Sequence, residues 1–426
     1  MKYWQRAGER SLRRYAYREA IQQIRSGLES IKALPESRER HLLEIELHVM
    51  LGVPLQSIVG YSAPEVEENY ARAFALCQEL KLTTELFPIL YGLFRYYMLQ
   101  GKYAKAREIG QQLVSIADQT HEPDFIVAAH RAVAGPLVYQ GEYSAAMPHL
   151  DKVLSTPTTA ELRTKVNRYD VVDPWIAAGS YKSWALLLSG FPEQALAQSR
   201  QTLEEAEALQ HPFTITLALS FSTWLHQFRR DVPATLAAAE RALALSEEHG
   251  FRFWIGWGNV LKHWALGITG RDPNACEAIR QGIVAWRAQG SELGSSYFYA
   301  MQAEVALALN RPTDAAAALI QAEDFARATA EGFPLPDLHR LRGEVALRMN
   351  DPMAESHFRK AIEVARQQGS LSHELRSTVS LARYLISAAR ALEAQSALTT
   401  ILNQITEGRD TVDTREALAL AQSIQG

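Results

Sequence analysis

The sequence contains two cysteines in 426 residues. Cys77 and Cys276 are too few for a disulfide framework or a structural zinc site, so both read as small buried hydrophobes. No apolar run of about 18 residues occurs, so no membrane span is expected. The N-terminus lacks the apolar segment of a secretory signal, which points to a cytoplasmic protein. Basic excess is also missing: 44 Lys and Arg face 48 Asp and Glu, for a net charge of −4. A nucleic-acid footprint needs a basic stripe. The one N-terminal candidate (Lys2, Arg6, Arg10, Arg13, Arg14, Arg18) is interrupted by Glu9 and Glu19 and reads as a solvated helix face.

Motifs of chemistry are scarce as well. Gly101-Lys102 lacks the first glycine and the hydroxyl residue of a phosphate loop. His-Glu-x-x-His, Cys-x-x-Cys and Gly-x-Ser-x-Gly are not found. The twelve histidines are scattered. His226 and His263 fall in neighbouring segments, but a metal needs three or four converging ligands. The adjacent acids Glu67-Glu68, Glu204-Glu205 and Glu247-Glu248 point to different places on a helix and suit solvated faces. The expectation is a protein that is not an enzyme and holds no cofactor and no metal.

What the sequence does have is a repeat. Gly-Lys-Tyr-Ala-Lys-Ala starts at Gly101 and Gly-Glu-Tyr-Ser-Ala-Ala at Gly141. Related phrases start at Gly190, Arg230, Gly270, Asn310 and Asn350, so the intervals are 40, 49, 40, 40, 40 and 40. Gly or Asn at the start tolerates the left-handed conformation that ends a helix. Pro192, Pro233, Pro273, Pro312 and Pro352 follow, where a new helix opens and a missing N–H costs nothing. Leu236, Ala239, Ala242 and Leu243 show the i, i+3, i+4 spacing of an amphipathic helix. No stretch alternates like a strand.

The unit is therefore helix–turn–helix, and such a unit buries its apolar face only by stacking on its neighbours. Trp4, Gly8, Tyr17 and Ala20 match the large and small places of the tetratricopeptide repeat (TPR), as do Gly343, Ala354, Phe358 and Ala361. The predicted fold is all-α: a right-handed solenoid of about ten TPR-like hairpins forming one domain over residues 1–426. Its register breaks near residues 155–175, and residues 411–425 form a C-terminal capping helix.

Longer phrases carry a resemblance. They are residues 3–10 (Tyr3-Trp4-Gln5-Arg6-Ala7-Gly8-Glu9-Arg10), Gly60-Tyr61-Ser62-Ala63-Pro64-Glu65-Val66 and Trp224-Leu225-His226-Gln227. Ile279-Arg280-Gln281-Gly282, Leu338-His339-Arg340-Leu341-Arg342-Gly343-Glu344 and Thr406-Glu407-Gly408 continue the series. With them the chain resembles the C-terminal TPR region of bacterial cyclase and AAA, or STAND-type, signalling ATPases. The resemblance implies a sensor array in signal transduction, with an ATPase partner in cis or in trans. It carries over no ATPase or cyclase activity, because their motifs are missing here. It implies binding of a protein or peptide segment, or of a small effector as in MalT-type arrays.

Two features suggest where a partner binds. Trp184, Trp224 and Trp264 recur at intervals of 40 on the first helix of successive repeats. That helix lines the concave groove in TPR folds, so the indoles form a ladder along it; packing in the core is the competing reading. The same register runs back to Arg95 and on to Glu304 and Glu344, from aromatic to acidic. The long interval contributes the second feature, a segment with Arg168, Tyr169 and Asp173, since insertions in repeat arrays often lie on the binding face. Trp257 is expected to deepen the same pocket.

Overall fold

Left-handed residues set the architecture. A computed structural model describes every residue except 1, 15, 60–62, 167–169, 171 and 426. Among the described residues, seventeen have positive φ, and sixteen fall into two interleaved series. One series is Gly101, Gly141, Gly190, Arg230, Gly270, Asn310, Asn350 and Ala389. It closes the turn inside eight of the hairpins, and its first seven members head the repeat phrases. The other is Lys81, His121, Gln210, Gly250, Gly290, Ala330, Gly369 and Gly408, between hairpins. A left-handed residue with a Cβ costs roughly 1–2 kcal/mol, so the array imposes these turns on Lys, His, Gln and Ala.

The described residues form helices and no strand. In chain order they are α1 (Lys2–Arg13), α2 (Tyr17–Ile31), α3 (Arg38–Val59), α4 (Pro64–Leu80), α5 (Leu86–Leu99) and α6 (Tyr103–Thr120). Next come α7 (Pro123–Tyr139), α8 (Tyr143–Ser155), α9 (Ala160–Val166), α10 (Pro174–Leu188), α11 (Pro192–Ala208) and α12 (Pro212–Phe228). The rest are α13 (Val232–His249), α14 (Arg252–Ile268), α15 (Ala275–Arg287), α16 (Ser295–Ala308), α17 (Pro312–Thr329), α18 (Leu335–Arg348), α19 (Ala354–Gln368), α20 (Leu371–Ser387), α21 (Ala391–Leu402) and α22 (Val412–Gln425). Ten hairpins result, with the short α9 in the long interval and α22 unpaired. The fold is that of a TPR-like helical repeat protein. No described helix is long and apolar enough to cross a membrane.

The chain packs as two compact units. The first comprises residues 1–136, 151–175 and 288–293; the second comprises 137–150, 176–287 and 294–426. In the second unit each hairpin's first helix also packs on the first helix of the next, from α12 through α14, α16, α18 and α20 to α22. Burial of these inner helices is greatest in α12 and α16 and least in α22. Thirteen of the seventeen residues of α12 are buried. Pro192 and Pro312 open α11 and α17, while Pro233 is the second residue of α13, as first-turn prolines should be.

The last described helix, α22, packs on the final hairpin. Its Ala417 is fully buried, and Leu420, Ala421 and Ile424 pack against the core cluster that contains Leu385, Leu398 and Ile401. A chain stopped at residue 410 should expose that apolar face, melt at a lower temperature and self-associate. Size-exclusion light scattering with a thermal melt checks this; an unchanged monomer would remove the capping role.

Candidate functional site

The inner helices of the second unit carry two kinds of side chain at one register. The aromatic half lies on α10, α12 and α14. Trp184 and Trp224 have ring centroids 4.8 Å apart, and Trp224 and Trp257 are 4.3 Å apart. Tyr139, Tyr297, Phe298 and Phe333 close around Trp224 at 5.4–6.5 Å. The Trp184 indole donates to the Phe221 carbonyl at 3.0 Å, and the Trp257 indole to that of Ser220 at 3.0 Å. All four tryptophans (Trp184, Trp224, Trp257, Trp264) are at most 2% exposed.

That corrects the reading of an open aromatic groove. The indoles of Trp184, Trp224 and Trp257 pack against each other and against rings from other repeats, while Trp264 bonds to Glu304 instead. Gly294, at φ 71°, lies where a Cβ would collide with the Trp224 ring, which shows how closely the opposing repeat approaches.

The charged half begins where the ladder ends. Glu304 accepts from the Trp264 indole at 2.8 Å, joining two register positions directly. Glu344 accepts from Ser380 at 2.8 Å. Both acids are half-buried. Between them lies a denser network that the sequence reading missed. Asp337 accepts from Arg340 Nε at 2.7 Å and lies 4.0 Å from Arg376. Arg376 donates to Asp413 at 2.8 Å and also to the Phe228 carbonyl. Arg230 adds bonds to Asp413 at 3.0 Å and Glu416 at 3.1 Å. His373 Nδ1 lies 2.9 Å from Ser370 Oγ.

Burial and charge compete in this network. Burial by itself would raise the Asp413 carboxyl, but Arg376 and Arg230 outweigh it and hold the group below its ordinary range. Asp337 is held down likewise by Arg340 and Arg376 against its own burial. Burial holds the His373 imidazole down to about 4, with Asp337 and Asp413 opposing and Arg376 and Arg340 assisting. The signal in the sequence was present: Asp337 and Arg340, then His373 and Arg376, repeat a three-residue spacing within largely buried helices.

The first unit has a smaller counterpart. Asp170 is 3% exposed. It accepts from Arg131 at 2.6 Å and from the Tyr91 hydroxyl at 2.8 Å, with Arg95 Nε 3.7 Å away. Arg95 thus faces an acid of its own chain. Asp173 accepts from the Trp175 N–H at 3.0 Å at the start of α10 and pairs with Arg163, so it acts as a helix cap. Arg168 and Tyr169 lie outside the described residues. Among the described residues no group of three His, Cys, Asp or Glu is placed to share a metal.

Comparison with solved structures supports the fold alone. A Rap protein complexed with competence and sporulation factor superposes with a TM-score of 0.55 and 14% identity, over 86% of this chain and 98% of that one. Aspartyl phosphate phosphatase F from Bacillus subtilis gives 0.49 at 17% identity, over 85% of this chain and 93% of that one. A human IFIT1 dimer with PPP-AAAA gives 0.47 at 12% identity, over 98% and 88%. No family model matches the chain, and no curated protein matches it by sequence.

Two predictions follow from these environments. Trp224→Ala should destabilise the fold by about 3–5 kcal/mol, the range for removing a buried Trp. Urea denaturation measures it; a loss under about 1 kcal/mol would restore the groove reading. The second concerns pH. A His373 imidazole freed by unfolding titrates near 6.5 but near 4 when folded. The unfolded state therefore binds more protons between those values, so its contribution is full above pH 6.5 and is lost as pH falls toward 4. His226, His339 and His48 are also lowered by burial and act in the same direction. His373→Gln should flatten the fall in melting temperature across that window; an unchanged slope would exclude His373 as a source.

Proposed function

We propose that this chain is a recognition module that works by binding rather than catalysis. Its TPR-like inner helices take a segment of a protein partner, and an ATPase in cis or in trans converts binding into a signalling output. The setting is the cytoplasm of a bacterium. The ATPase and the setting rest on the sequence resemblance to STAND-type arrays.

The observation that supports binding is the change of side chains along one register. At Trp184, Trp224 and Trp264 an apolar solution holds the inner helices together. One and two repeats later the equivalent places are Glu304 and Glu344, beside the buried Asp337, Arg340 and Arg376. Buried ion pairs add little stability over apolar packing of similar volume. A repeat array able to use tryptophan there has no need of them for stacking. Their retention favours specificity: fixed charges and hydrogen-bonding groups that discriminate one segment from another. The closed packing of the indoles favours a protein segment over a small effector, since a guest among them would have to part Trp184 from Trp224.

Native mass spectrometry of the chain purified from host lysate tests the proposal. The expected spectrum shows the chain with a peptide or protein attached. A bare chain that consumes a metabolite from the lysate would overturn the binding reading in favour of an enzyme.

A further inference from the structure

Helix α20 binds main-chain carbonyls that lie far away in sequence. Ser370, its N-cap, donates to the Leu188 carbonyl at 3.2 Å, and Ser372 donates to that of Leu187 at 2.5 Å. Arg376 Nη2 donates to the carbonyl of Phe228 at 2.5 Å. Leu187 and Leu188 end α10, and Phe228 ends α12, where the last carbonyls have no partner within their own helix. One face of α20 is therefore already a reader of main-chain acceptors.

The reading is incomplete along the seam between α18 and α20. His373 Nε2, Ser377 Oγ and Arg340 Nη2 are buried and have no hydrogen-bond partner. Their residues are 2%, 1% and 8% exposed. Two contacts bracket the seam: Asp337 with Arg376 at 4.0 Å, and Glu344 with Ser380 at 2.8 Å. Arg340 lies between the two acids on α18, Ser377 lies between Arg376 and Ser380 on α20, and His373 is one turn earlier. Leaving a buried polar group unsatisfied costs about 1–3 kcal/mol, and more for a charged group.

Donor and acceptor roles narrow the guest. Ser370 gives its one proton to the Leu188 carbonyl, so His373 Nδ1 carries the hydrogen that it donates to Ser370. In the neutral ring Nε2 is then an acceptor. Arg340 Nη2 can only donate, and Ser377 can do either. A carboxylate has no proton for His373, and an ammonium group has no acceptor for Arg340. A peptide group has both, in its N–H and its C=O.

We propose that the seam between α18 and α20 binds the main chain of an extended peptide segment, with a peptide C=O accepting from Arg340 and a peptide N–H donating to His373. The guest displaces the carbonyls of Leu187, Leu188 and Phe228, which occupy the same face as internal stand-ins. This rests on the recognition function proposed above and names the chemistry it reads.

The probe is a pool of random heptapeptides, acetylated and amidated so that no terminal charge contributes, passed over the full chain. Retained peptides are resynthesised with one N-methyl group at each peptide bond in turn. One position should lose about tenfold or more in affinity, the scale of a lost hydrogen bond to a buried partner. That penalty should vanish in His373→Leu and persist in His373→Gln, which keeps an acceptor. Ser377→Ala and Arg340→Met should weaken every retained peptide. Circular dichroism melts check that each variant folds. If His373→Leu does not fold, the N-methyl scan on the unaltered chain and the Gln variant still decide. Peptides that bind but ignore both the scan and the variants would overturn the seam and leave the recognition reading standing. No retention at about 1 mM peptide, weaker than roughly −4 kcal/mol of binding, would overturn both. A crystal structure of the peptide-loaded chain with only a water between Arg340 and His373 would also overturn the seam.

Discussion

Deep burial of the inner helices, most complete in α12, is the constraint from which the second unit follows. A helix that faces a core on one side shows an apolar stripe; a helix enclosed all round shows none. Helix α12 is of the second kind, with buried Thr216, Ser220 and Thr223 among its aromatics. Such a helix must satisfy its own hairpin partner, the next inner helix and the repeats that meet it from far along the chain. Interiors pack as densely as organic crystals, so each of those surfaces restricts the others. Trp224 shows the result: it touches rings from α10, α14 and α16 and from Phe333 just before α18.

The same enclosure explains why charge inside the unit is so fully engaged. Arg376 cannot reach water, so it must find acceptors in the protein, and it finds the Asp413 carboxylate and the Phe228 carbonyl. Removing one partner of such a pair would leave the other buried and unpaired, at a cost of about 3–5 kcal/mol. The first unit obeys the same rule with different parts. There the acid is Asp170, supplied by the inserted segment, and the cations are Arg95 and Arg131 on α5 and α7. In both places the inner helices supply arginine, and a carboxylate comes from outside the hairpin that needs it.

This division explains how much was legible in the sequence. The turn series at Gly101, Gly141 and Gly190 was visible because glycine marks it, and it located the hairpins correctly. The interleaved series was only half marked, because Gly250, Gly290, Gly369 and Gly408 carry glycine whereas Lys81, His121, Gln210 and Ala330 carry no turn signature. Tertiary packing, not local preference, holds those residues left-handed. Register places Trp184, Trp224 and Trp264 alike: Trp184 and Trp224 do meet, while Trp264 reaches Glu304. It said nothing of what lies opposite. The contacts that turn the expected groove into core join residues far apart, such as Tyr139 with Phe333 and Trp224 with Tyr297. Pairings of that kind have no local trace. The charged network left only the repeated spacing of Asp337 with Arg340 and His373 with Arg376; the partners of Arg376, such as Asp413, lie on other helices.

In the proposed reading, closure and recognition in the second unit use neighbouring groups of the same helix, α20. The bonds from Ser370 to Leu188, Ser372 to Leu187 and Arg376 to Phe228 span 182, 185 and 148 residues. Each joins a late inner helix to an early one, so together they hold the unit closed. A guest that takes these donors must break those ties, and a closed unit must give them up before a guest can enter. Binding energy is then divided between contact with the guest and opening of the array. A guest shifts the closed form only by the difference in its affinity for the two forms. On the proposed reading, the groups that would identify the segment, Arg340 and His373, lie on α18 and on α20, which Arg376 ties to α12, so binding there would be coupled to a structural change.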